Sequence, residues 1–246
     1  MTPSMKTTLL VSLTALVALP AQAADLSDDV KAAARKLADK PNYSWSAKVE
    51  TAQQGQGRGF GGPPSGKTEK DGYTLLTYAM GERSIEAVRK GDKVAVKSGD
   101  DWKSAEELAA DSGDGAGNRQ RFMGRMVQQA KLPASDAQEL AGRVKDLKKE
   151  GDTYSATLTA EGIKEMFAFG RRPGGEGGGP DTSGIKGTAK FWVKDGVLSK
   201  YETRVEGKIT FGGNERDINR ATITEIQEVG STKIEVPAEA KKKLGA

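Results

Sequence analysis

The 246-residue sequence contains no cysteine and no histidine. Without thiols no disulfide can staple the fold and no thiolate can attack a substrate. Without imidazole, Ser-His-Asp and Cys-His catalysis and nearly all zinc sites are excluded as well. Stability has to come from a packed core alone. The net charge of +4 is too mild to argue for nucleic acid or an anionic membrane surface as partner. Long apolar runs are scarce too: "LLVSLTALVAL", Leu9 to Leu19, stops well short of the roughly 20 apolar residues of a spanning helix. An integral membrane protein is not predicted.

That short run has another meaning. Lys6 precedes it, and Pro20 and the small-residue stretch "AQA" (21–23) follow, the order of a secretory signal peptide cut after Ala23. The chain is then expected to be exported, to the periplasm in the first instance and to the exterior as the alternative. A lipid-anchored form needs a cysteine at the cleavage site, and the chain has none. Residues 24–246 are long enough to bury a core as one domain without staples.

Glycine is plentiful, but 13 of the 31 sit in two stretches, 55–66 and 170–184. The first contains a literal G-x-x-x-x-G-K-[ST] match, from Gly61 through Gly66 and Lys67 to Thr68. A phosphate cradle needs a buried strand before it, a helix after it and free backbone N–H groups. Here "TAQQGQGRGF" precedes, Asp71-Gly72 and a strand-like run follow, and Pro63 and Pro64 remove two donors. The overlapping Gly57-x-Gly59-x-x-Gly62 fails the dinucleotide context for the same reason. Both stretches are expected to be surface loops.

Elsewhere the polar pattern is regular. "YSWSAKVE" alternates Tyr43, Trp45, Ala47 and Val49 with polar residues, the period of a strand with one wet face. "YTLLTYAM", "SIEAVRK", "DKVAVKS", "DTYSATLTA", the hairpin turned at Asp195-Gly196, "RATITEIQEV" and "KIEV" supply further strands. Ser27 is expected to cap a first helix that ends before Pro41. Between strands lies a helical insertion with capping boxes at Ser104/Glu107 and Ser135/Gln138. Its middle segment carries Phe122, Met123, Met126, Val127 and Ala130 on one face, and a later short helix carries Ile163, Met166, Phe167 and Phe169. The predicted fold is α+β: a single strongly curved antiparallel sheet, an unclosed half-barrel, with helices packed in its concave face.

No constellation places a nucleophile, a base and an oxyanion donor together. Ser183-x-x-Lys186 lacks a helix start to align the pair, and Glu202 and Glu206 lie on a solvated strand face. No catalytic residue, metal ligand or cofactor is assigned. The candidate ligand-lining residues are Tyr43, Trp45, Phe122, Met123, Met126, Met166 and Phe167; methionine adapts to varied apolar partners, and the alternative is that these side chains simply fill the core.

The signal peptide, the helix leading into "NYSWSAKVE", the stretch "KGDKVAVKSGDDWKSAEEL", the helical insertion and the ending "ATITEIQEVGSTKIEVPAEAKKKL" together resemble the LolA-like superfamily of exported lipoprotein and lipid carriers. The resemblance implies a half-barrel over residues 24–246, with helices forming a lid over an apolar concavity. It also implies a lid-holding arginine, for which Arg119, Arg121 and Arg125 are available. The expectation is a monomeric, non-catalytic carrier or chaperone for a lipid or acylated protein, with no nucleic-acid partner. The alternative is an interaction module with a filled core that contacts envelope proteins through its surface.

Overall fold

The computed structural model describes residues 21–51, 63–80, 83–110, 116–167, 180–211 and 213–245. The expected signal peptide up to residue 20 and most of both glycine-rich stretches lie outside the described residues, as does Phe169. Helix α1 (Ala21–Ala38) leads into β1 (Asn42–Thr51), β2 (Ser65–Glu69), β3 (Thr74–Met80), β4 (Arg83–Lys90), β5 (Lys93–Ser98) and β6 (Asp101–Ser104). The helical insertion follows as α2 (Ala105–Ala110), α3 (Ala116–Gln128) and α4 (Pro133–Ala141). The chain then returns through β7 (Val144–Glu150), β8 (Thr153–Leu158), α5 (Ala160–Met166), β9 (Ile185–Lys194), β10 (Val197–Phe211), β11 (Asn214–Gln227) and α6 (Ala238–Lys243).

All eleven strands form one antiparallel sheet in the order β6-β5-β4-β3-β2-β1-β11-β10-β9-β8-β7. It is two meanders joined where β1 pairs with β11, Trp45 opposite Ile226 and Val49 opposite Thr222. Strands β6 and β7 remain as free edges, so the barrel is not closed. Tight turns hold the meanders: Asp195 and Gly196 take φ of 53° and 73°, the two left-handed residues of a hairpin turn whose twist matches its strands.

Alternation sorts the two faces. One inner row runs Tyr154, Phe191, Tyr201 and Thr224 across β8 to β11, and Phe191 is fully buried. Outward residues such as Lys48, Glu50, Lys200 and Glu225 form exposed ion pairs that contribute little stability. The helices supply the other half of the core. Val30, Ala34 and Leu37 of α1, Leu108 of α2, Met126 and Val127 of α3, Ala137 and Leu140 of α4 and Ile163 of α5 all join the inner cluster. Helix α6 is different: Ala240 and Leu244 pack with Val88, Ala95 and Trp102 in a second, smaller core on the outer face.

The capping box at α2 forms as read, with Ser104 N–H donating to Glu107 Oε2 at 2.8 Å and Glu107 N–H to Ser104 Oγ at 3.2 Å. Three local expectations are corrected. Helix α1 begins before Ser27, whose hydroxyl instead donates to the carbonyl of Ala141 on α4 at 2.8 Å. Helix α4 starts at Pro133, which suits a first helical position because it has no N–H to leave unpaired. Ser135 therefore lies inside the first turn and donates to Leu132 O at 2.9 Å. Residues 233–236 form no strand; β1 and β10 already occupy both edges of β11, so the segment crosses over to deliver α6 to the outer face.

Candidate ligand-binding site

The sheet side of the site is built on β1. Tyr43 and Trp45 project inward two residues apart, with ring centroids 5.8 Å apart and planes tilted by 50°. The indole N–H donates to Pro64 O at 2.6 Å, and the ring lies over Gly66, where a Cβ would meet indole carbons at 2.8 Å. The glycine of the phosphate-loop match is thus there for a tryptophan. Lys67 and Thr68 continue as strand β2, with the Thr68 hydroxyl 2.9 Å from that of Thr74.

Helix α3 packs on β4 and β5, and α5 on β9. Met126 belongs to the same cluster as Tyr43 and Trp45, and Phe122 and Phe167 pack half-buried against it. Met123 is buried outside that cluster, while Met166 at the end of α5 is 37% exposed. Of the candidates, Tyr43, Trp45 and Met126 lie within the main core, Phe122 and Phe167 pack half-buried against it, and Met123 and Met166 stand apart from it.

Polar groups rising from the inner face hold the helices in place. Tyr78 Oη donates to Met126 O on α3 at 3.5 Å, Tyr154 Oη to Asp29 Oδ2 on α1 at 3.3 Å, and Tyr201 Oη to Asp136 Oδ2 on α4 at 2.9 Å. Burial pushes both Tyr43 and Tyr78 up to about 12, with the charge of Arg89 pulling the other way. Burial also raises the Asp136 carboxyl above its ordinary range, opposed in part by the Tyr201 bond, and lifts Tyr201 well above that of a free phenol.

Arg89 on β4 is the fixing residue that sequence reasoning missed. Its Nη1 donates to Ala130 O at 2.7 Å and reaches Gln128 O at 3.4 Å, placing a cation where the dipole at the end of α3 is negative. The signal was present in "SIEAVRK": Ile85, Ala87 and Arg89 share one face of a strand, which puts a guanidinium on the apolar side. Of the three arginines on α3 itself, Arg121 Nε donates to Ala109 O on α2 at 2.9 Å.

The concave face is not evenly covered. Over β8 to β10 its inner residues Ala156, Ala189, Thr203 and Val205 are buried. Over β1 and β11, Ala47, Val49, Ile218, Arg220 and Thr222 are only half-buried. Two open clefts lie elsewhere on the rim. One of about 460 Å³ sits where β8 ends, among Leu158, Ile163, Ile185 and Arg204. The other, about 490 Å³, is framed by Asp29, Lys36, Lys149 and Tyr154. Among the described residues there is no group of three or more acidic, Cys or His side chains able to hold a metal. No described helix is long and apolar enough to cross a membrane.

The class of the fold is an open antiparallel half-barrel with helices in its concavity, as the LolA-like resemblance implies. No family model matches the chain, and no curated protein sequence matches it. Among solved structures it is similar to the lipoprotein LppX of Mycobacterium tuberculosis, with a TM-score of 0.47 and 12% identity over 87% of this chain and 99% of that one. It is also similar to LprF from Mycobacterium bovis, with a TM-score of 0.43 and 11% identity over 88% of this chain and 98% of that one.

Proposed function

We propose that the protein is an exported, non-catalytic carrier or chaperone that holds an acyl chain, as a lipid or an acylated protein, between the concave sheet and helices α3 and α5. The observation that supports it best is the uneven cover of the inner face: Ala47, Val49, Ile218 and Thr222 are inward and mostly apolar, yet half-open. The part of this apolar surface left in water costs free energy unless something covers it. The helix that faces the cluster presents Phe122 and Met126, side chains that repack readily around an inserted chain.

Native mass spectrometry of the chain from Ala24 onward, purified from a cell envelope without detergent and followed by lipid extraction, tests this directly. A stoichiometric acyl-bearing adduct is expected. Met126→Asp and Phe167→Asp should abolish uptake of a fluorescent fatty acid; a variant that keeps a folded circular dichroism spectrum and binds as before counts against the site.

The second reading, an interaction module that acts through its surface, has its own support. Both rim clefts lie away from the α2 to α4 insertion, and Val127 of α3 is fully buried in the sheet's core. A clean apo mass, with no uptake of added fatty acid, favours that module.

A further inference from the structure

Inner positions of β11 read Arg216, Ile218, Arg220, Thr222, Thr224 and Ile226; Arg216 is exposed near the start of the strand, and Arg220 is the half-buried cation toward the middle of the concave face. In register, Arg220 lies between Val205 of β10 and Thr51 of β1. Its Nε is buried without a hydrogen-bond partner. Among the described residues, no ion pair and no side-chain hydrogen bond reaches its guanidinium. Burial alone depresses its proton affinity, with no carboxylate opposing it.

The contrast with Arg89 is instructive. That residue also points inward, but its charge is committed to the carbonyls at the end of α3. Arg220 fixes no helix. A guanidinium stays protonated, and leaving one half-buried and unpaired is unfavourable where an apolar residue would pack at lower cost. Its flat fork of donors matches a carboxylate or a phosphate. The half-buried stretch of Ala47, Val49, Ile218 and Thr222 flanks it along the same two strands.

Resting on the carrier reading, we propose that Arg220 is the headgroup residue of that site: it receives the carboxylate or phosphate of a singly charged acyl lipid whose chain lies along the inner face. The selected ligand class is then anionic acyl lipids over neutral ones of the same length.

The test uses the delipidated chain from Ala24 onward and two probes with one chain length, palmitate and hexadecanol, with Arg220→Gln and Arg220→Lys as variants. Wild type is expected to bind palmitate about tenfold or more tightly than hexadecanol. Arg220→Gln should lose that preference while still binding hexadecanol, and Arg220→Lys should keep part of it. Equal binding of the two probes by wild type, or an undiminished preference in Arg220→Gln, overturns the assignment and leaves the carrier standing. Failure of both probes to bind removes the carrier and this inference with it. Inorganic phosphate and acetate form a further arm: millimolar amounts should not displace palmitate, and displacement would show a site for free anions instead of a lipid headgroup.

Discussion

The guanidinium of Arg89, on the inner face of β4, closes the carboxyl end of α3 by donating to the carbonyl of Ala130 at 2.7 Å. A side chain of the sheet thereby holds the methionine-bearing helix against its own strand. Charge-assisted bonds to helix-terminal carbonyls contribute about 1–3 kcal/mol. Arg89→Met should lower the unfolding free energy by about that amount and speed amide exchange selectively across residues 116–130. Unchanged exchange there would mean that apolar packing alone seats the helix.

The Tyr201–Asp136 pair predicts a pH dependence of stability. Asp136 has a folded pKa above its ordinary 3.8, because burial disfavours the carboxylate more than the Tyr201 bond favours it. The folded state therefore holds the proton to higher pH than the unfolded state. The stability this contributes is present below 3.8 and is lost as pH rises through the raised folded value. The difference in unfolding free energy between wild type and Asp136→Asn should fall with rising pH across that window and then level off. Exposed Glu50 and Glu107, whose pKa values are lowered by Lys48 and Lys243, act with the opposite sign but cancel in the comparison. Urea titrations at a series of pH values check this, and a flat difference would refute it.

Gly66→Val should be destabilising despite the higher strand propensity of valine. A Cβ at this position clashes with Leu75 O and meets the Trp45 indole at 2.8 Å, so both strand and ring must shift. Overpacking of this kind costs about 1–3 kcal/mol. Tryptophan fluorescence should move with the melting temperature; a variant as stable as wild type would show that β2 yields freely.

Phe191→Ala removes the largest fully buried side chain among the described residues, midway across β8 to β10. A loss of about 3–5 kcal/mol is expected in denaturant titrations, and a much smaller loss would mean that α1 settles into the space.

Much of the fold was legible from period-2 alternation. Tyr43/Trp45, Leu76/Tyr78 and Tyr201/Thr203/Val205 each announce one buried face, and their number requires a large one-sided sheet. That Tyr43 and Trp45 of β1 and Met126 of α3 face the core, with Phe122 packed against it, was legible from strand and helical spacing. Three things were not. The pairing of β1 with β11 depends on which strands meet, which no local pattern encodes. Residues 233–236 carry a strand-like pattern, yet find no open edge on β11. The polar attachments made by Arg89, Tyr154 and Tyr201 join residues far apart in the chain, and an inward arginine or tyrosine is visible in sequence only once the face of its strand is known.

The junction of β1 with β11 also sets the order in which the structure can assemble. Strands β1 to β6 pair in chain order, as do β7 to β11, so each meander joins only successive strands. The seam that unites them brings Ser44 opposite Gln227, about three quarters of the chain apart, and pairings of such separation form slowly. A chain emerging amino-terminus first therefore holds β1 with one edge bare until the last strand arrives. The strand pairing that completes the concave face thus waits on the last strand made, and a truncation that removes β11 leaves two half-sheets with no strand pairing between them, bridged by helix packing such as that of α1 on β10 and β7.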